Sequence, residues 1–132
     1  MATELIDLPR HSDDRGHLVC LTGGREAPFE IRRVFYIFGN TAGRDRAGHA
    51  NRLTSELLVA LHGSLRVVVD DGREAESEVV LDRPDRALVV RPMTWLRLTD
   101  FSTDCVLLAL ADTEYDPADR IDHRPAFLAG VR

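Results

Sequence analysis

Three side chains in RAGHANRLTSE could carry acid–base chemistry together. They are His49, Asn51 and Glu56, spaced two and then five residues apart. An imidazole titrates near neutrality, so one ring can both take and return a proton. A carboxylate at Glu56 could hold one tautomer of that ring, act as a base if burial raises its pKa, or pair with an arginine. Asn51 cannot move protons at neutral pH, but its amide can donate to a developing oxyanion. Tyr36, in IRRVFYIF, could supply a phenol to the same cavity. His49 can also be an ordinary structural histidine, and His11, His17, His62 and His123 are read as surface or turn residues.

These groups must be positioned by short strands. From Ile31 onward, IRRVFYIF, ELLVAL, LRVVVD, SEVVL, ALVV, WLRL and CVLLAL alternate with polar turns, which predicts an all-β, antiparallel sandwich or barrel. Asp71-Gly72 marks the clearest hairpin, and Pro84, Pro92 and Pro117 leave little room for helix. No linker or repeat divides residues 1–132, so one domain is expected, a jelly-roll barrel whose mouth holds a small ligand. Arg33, Arg44, Arg46, Arg91 and Arg97 fall near that mouth, where a planar guanidinium suits a diphosphate. Solvated surface is the default for any one of them. Trp95 either lines the mouth or packs in the core.

All 17 basic residues are arginine, which excludes Schiff-base chemistry through lysine. A net charge of -5 without a basic block argues against a nucleic-acid partner. The first twenty residues carry acids and no long apolar run, so neither a signal peptide nor a membrane span is expected and the location is read as cytoplasmic. Cys20 and Cys105 are expected to be small buried hydrophobes.

Gly43, His49, Asn51, Glu56 and Gly63 match the spacing of the first cupin box, G-x5-H-x-H-x4-E-x6-G, with asparagine in the second histidine slot. The histidine of a second box would fall at Leu96 or Arg97. Two good ligands out of four make a metal site improbable, and no other cofactor is implied.

A closer resemblance spans nearly the whole chain. DDRGHLVCL, PFEIRRVFYIFGN, RAGHAN, LLVALHGSLRVVVDDG, VVRPMTWLRLTDFSTDCVLLALAD and EYDPADRI, in that order, resemble the sugar nucleotide 3,4-ketoisomerases. These are small cupins that interconvert 4-oxo and 3-oxo isomers of thymidine-diphospho-6-deoxyhexoses. The resemblance implies metal-free acid–base catalysis through an enediolate, and a homodimer with an exchanged N-terminal strand. It also implies a place for Arg15, in DDRG, close to the ligand across that dimer. His49 matches the first family histidine. Asn51, Glu56 and Leu96 depart from the pattern, which shows histidine, glutamine and histidine there. Two other readings stay open: another isomerisation or cyclisation in natural-product biosynthesis, and a silent sugar-nucleotide-binding homologue.

Overall fold

The computed structural model describes residues 3–41 and 43–131. Two five-stranded antiparallel sheets face each other. The first runs, in spatial order, β1 (Thr3–Asp7), β9 (Arg86–Val90), β6 (Glu56–His62), β11 (Val106–Ala111) and β4 (Arg33–Ile37). The second runs β12 (Arg120–Ile121), β5 (Arg46–Asn51), β10 (Trp95–Thr99), β7 (Leu65–Asp70) and β8 (Ser77–Leu81). The all-β jelly-roll expectation is met, but the sheets do not close into a barrel: no ladder joins them among the described residues.

Alternation decides what each strand buries. Leu58 and Ala60 of β6 meet Val67, Val69, Leu96 and Leu98 of the second sheet between the layers. Leu57 and Val59 point the other way, onto Leu8, Ala27 and Leu110 beneath the N-terminal segment. With both faces covered, β6 reads as an unbroken apolar run rather than an alternating one. Burying each such leucine contributes about 1.5–3 kcal/mol.

The outer face of the second sheet is covered by the C-terminal helix α1 (Arg124–Gly130). Phe127 is fully buried there against Trp95, with ring centroids 5.6 Å apart, and joins Ala50 and Ile121. Arg124 lies over the Trp95 ring and pairs with Asp70, fastening the helix to β10 and β7. This anchoring draws the preceding segment, β12, onto the edge of β5.

β1 pairs along its length with β9 of the same chain, from Thr3 opposite Val90 to Asp7 opposite Arg86. The apolar HLVCL segment, to which the implied strand exchange was tied, begins in a separate hairpin of β2 (Arg10–Asp13) and β3 (Gly16–Val19), whose strands pair only with each other and in which Arg10 through Leu18 are all exposed. Cys20 follows this uncovered hairpin and is exposed, contrary to its expected burial, whereas Cys105 is buried as expected. Among the described residues no helix is long and apolar enough to cross a membrane.

Candidate active site

β5 carries His49 and Asn51 two residues apart, so strand alternation turns both into the space between the sheets. A bulge precedes them: Leu96 stands opposite His49 but Arg97 stands opposite Ala47, and the extra residue, Gly48, has φ 79°. Bulges of this kind re-aim neighbouring side chains. Glu56 opens β6 on the facing sheet and is 5% exposed. The three converge on a cleft of ≈ 200 Å³. Arg33 and Phe35 of β4 complete its inner wall, and Tyr115, Asp116, Asp119 and Arg120 of the C-terminal segment cover it.

The Asn51 amide donates to Glu56 Oε1 at 3.2 Å. The carboxyl group therefore meets the asparagine and not the imidazole, and the expectation that it fixes a tautomer of His49 is replaced by this contact. Two polar atoms in the cleft, His49 Nδ1 and Arg33 Nε, are buried without a hydrogen-bond partner. Such groups call for a polar ligand. Burial holds the imidazole below its ordinary pKa, and the Arg120 charge adds to this, while Asp122 and Asp119 oppose it. Burial pushes the Glu56 carboxyl up, against the opposing pull of the Arg33 charge and the Asn51 hydrogen bond. Burial thus moves both groups toward their neutral forms.

The cover is held by Asp119. Its carboxylate accepts from the Leu53 amide at 2.6 Å and from the Thr54 hydroxyl, and its carbonyl accepts from Arg52 N at 2.8 Å. These bonds tie the 3-10 turn Pro117–Asp119 to the loop between His49 and Glu56.

A second cleft, of ≈ 420 Å³, adjoins the first and is lined by Asn40, Arg44, Arg46 and Arg120 among others. Among the described residues neither Arg44 nor Arg46 has an acidic partner within ion-pair distance, so both guanidinium groups are available to an anion.

Other expected site residues lie elsewhere. Tyr36 is on the outer face of β4, 63% exposed and stacked near Phe38, because strand alternation puts it opposite to Arg33 and Phe35. Trp95 and Arg97 point away from the cleft for the same reason: Leu96 and Leu98 take the inner face of β10. Trp95 is packing under α1, and Arg97 pairs with Asp45 at 3.0 Å. Arg91 lies past the end of β9 and pairs with Glu4. Arg15 sits in the exposed hairpin, paired with Asp13. Conversely, Tyr115, Asp119 and Arg120 join the site although no local pattern marks them; the β12–β5 pairing and the Asp119 hydrogen bonds to Leu53 and Thr54 bring them to His49.

The donor set does not fit a divalent metal. Asn51 turns its N–H to Glu56, Leu96 offers no lone pair, and among the described residues no three His, Cys, Asp or Glu side chains converge as a metal site.

The entire chain, residues 1–132, matches the family described as FdtA: WxcM-like, C-terminal. The chain belongs to this family. Over 121 residues it is 40% identical to TDP-4-oxo-6-deoxy-alpha-D-glucose-3,4-oxoisomerase of Aneurinibacillus thermoaerophilus, covering 92% of this chain and 86% of that one. A 3,4-ketoisomerase from Helicobacter canadensis superposes with a TM-score of 0.95 at 30% identity, over 99% of this chain and 98% of that one. The sugar 3,4-ketoisomerase QdtA of Thermoanaerobacterium thermosaccharolyticum, solved with TDP, also gives 0.95 at 30% identity, over 98% and 94%. A structure of a histidine-to-asparagine mutant of QdtA holds TDP-4-keto-6-deoxyglucose. In this member of the FdtA family, the three departures from the resemblance are not scattered. Asn51 bonds Glu56, and Leu96 stands opposite His49 in the β5–β10 ladder.

Proposed function

We propose that the chain is an isomerase that converts a thymidine-diphospho-4-oxo-6-deoxy sugar into its 3-oxo isomer through an enediolate, without a metal. The observation that carries this reading is the unpartnered, buried His49 Nδ1 in a cleft shared with Glu56 and the equally unpartnered Arg33 Nε. Whole-length similarity to TDP-sugar ketoisomerases supports the substrate class.

Each residue then has a chemical part. His49, held neutral, removes the proton from C3 and the electrons move onto the C4 oxygen. Glu56, reacting from its protonated form, gives its proton to that oxygen and takes the one on the C3 oxygen. The imidazolium returns its proton at C4 as the C3 carbonyl forms, so both side chains end as they began. Arg33 and the second N–H of Asn51 donate to the oxygens while charge develops on them. Arg44 and Arg46, in the adjoining cleft, hold the diphosphate.

The working form is a homodimer. Val34 and Tyr36 on edge strand β4, with Phe38 just past it, leave an apolar stripe exposed at 56%, 63% and 68%, and among the described residues no other strand pairs with the β2–β3 hairpin. A second copy covering the stripe would also bring Arg15 within reach of a partner's ligand. A doubly charged diphosphate does not cross membranes unaided, so the enzyme works where nucleotides are made, in the cytoplasm.

Incubation with thymidine-diphospho-4-oxo-6-deoxyglucose in deuterated water, followed by NMR of the ring protons, tests the function. Exchange at C3 with appearance of the 3-oxo isomer is expected. Binding without exchange would mean a silent site, and neither would mean another substrate.

A further inference from the structure

Among the described residues Arg120 alone lines both clefts, the cavity of His49 and the arginine-lined space beside it. Its place follows from the β12–β5 ladder, in which it stands directly opposite Asn51. Residues opposite each other in an antiparallel pair share a face, so Arg120 turns inward with Asn51 while Ile121 and Ala50 turn outward under α1. In the free chain its Nε donates to Asp122 Oδ1 at 2.6 Å, and both side chains are largely open to solvent. An exposed pair two residues apart is weak and easily exchanged.

We propose that Arg120 is a substrate-binding residue that leaves Asp122 to grip the phosphate joined to the reacting sugar, at the junction of the two clefts. The inference rests on the nucleotide-sugar reading above and adds a residue to it. A sugar diphosphate is one continuous ligand, so a molecule with its ring at His49 and its nucleotide end toward Arg44 and Arg46 must carry its phosphates past Arg120. A guanidinium meets a phosphate with two parallel N–H donors, which the single Nε contact to Asp122 does not use. The grip has a second effect. Among the described residues, the titratable and charged groups facing His49 are Tyr115, Asp116, Arg120 and Asp122 of the C-terminal segment, Asp119 of the 3-10 turn, Glu56 of β6 and Arg33 of β4. Phosphate binding offsets the positive charge of Arg120, which opposes protonation of the imidazole, so the ring becomes a stronger base once substrate is seated.

The test is titration of the full chain and its variants with TDP and with thymidine, alongside steady-state kinetics. Arg120→Ala is expected to weaken TDP at least tenfold and to leave thymidine unchanged. It should raise KM more than it lowers kcat, and move the acidic limb of the kcat pH profile less than that of kcat/KM. Arg120→Lys, which keeps the charge but not the fork, falls between and covers the case in which the alanine variant does not fold. Asp122→Asn binds TDP as tightly as the parent or more so. Folded Arg120 variants that bind TDP like the parent, in a protein that still turns over its sugar nucleotide, overturn this inference alone. A parent protein that neither binds TDP nor turns over the sugar overturns the functional reading as well.

Discussion

The side-chain nitrogen of Asn51 lies 3.2 Å from Oε1 of Glu56, inside the cleft that also holds His49. An amide N–H needs an acceptor, and a carboxylic acid offers one through its carbonyl oxygen while its hydroxyl stays free to donate. The pair therefore tolerates a protonated Glu56. In the proposed reaction Glu56 is thereby the second proton carrier in place of a second histidine, and several expectations follow.

His49→Ala should lower kcat by about 10²–10⁴-fold, the usual contribution of a general base. TDP affinity should stay near that of the parent. Because burial holds the imidazole below its ordinary value, kcat/KM of the parent should persist to a lower pH than about 6.5 before the base is protonated. A full kinetic profile from pH 5 to pH 9 checks both points, and an alanine variant within a factor of two of the parent would remove His49 from the reaction.

Glu56→Gln separates activity from stability. The folded pKa of Glu56 is raised, so its contribution to stability is fully present below the unfolded carboxyl value and is lost as pH rises through the folded one. Glutamine cannot ionise, so the variant should gain melting temperature relative to the parent at pH 8 and show no gain at pH 4. Its kcat should fall by about 10²-fold or more because the acid is gone.

Asn51→His tests whether the site is sufficient as it stands. If Glu56 already exchanges the oxygen protons, the added imidazole should change kcat by less than about tenfold, or 1.4 kcal/mol. A gain of several hundredfold would show instead that the native site is nearly silent.

Phe127→Ala should cost about 3–5 kcal/mol of stability, as large-to-small changes at closely packed aromatic sites do. Trp95→Phe, behind the same sheet, should lower stability by less and leave the affinity for TDP unchanged, since neither ring reaches the cleft. Urea unfolding and TDP titration of the two variants measure this; a large loss of affinity in Trp95→Phe would put the indole back at the mouth.

Replacing Tyr36 and Phe38 together by serine should shift the assembled protein toward monomer in sedimentation experiments. The stripe they form is outside the cleft, so a monomeric parent would argue that it is merely exposed surface.

Much was legible in the sequence because it rests on local rules. Short β-branched runs between turns dictate strands, and a two-residue spacing turns His49 and Asn51 to one side whatever else happens. The same parity, applied to IRRVFYIF, separates Arg33 from Tyr36, so both could never share the cleft; once Arg33 is inside, Tyr36 must be out. Likewise Leu96 inside requires Trp95 and Arg97 outside. Parity cannot say which set faces inward, because that depends on which face another layer covers. Nor does any local rule bring Arg120 and Tyr115 to His49, some seventy residues away in the chain. That approach is decided by burial of Phe127 against Trp95 and Ala50, which folds the C-terminal segment across the open edge of β5 and sets the charge of Arg120 beside the His49 imidazole.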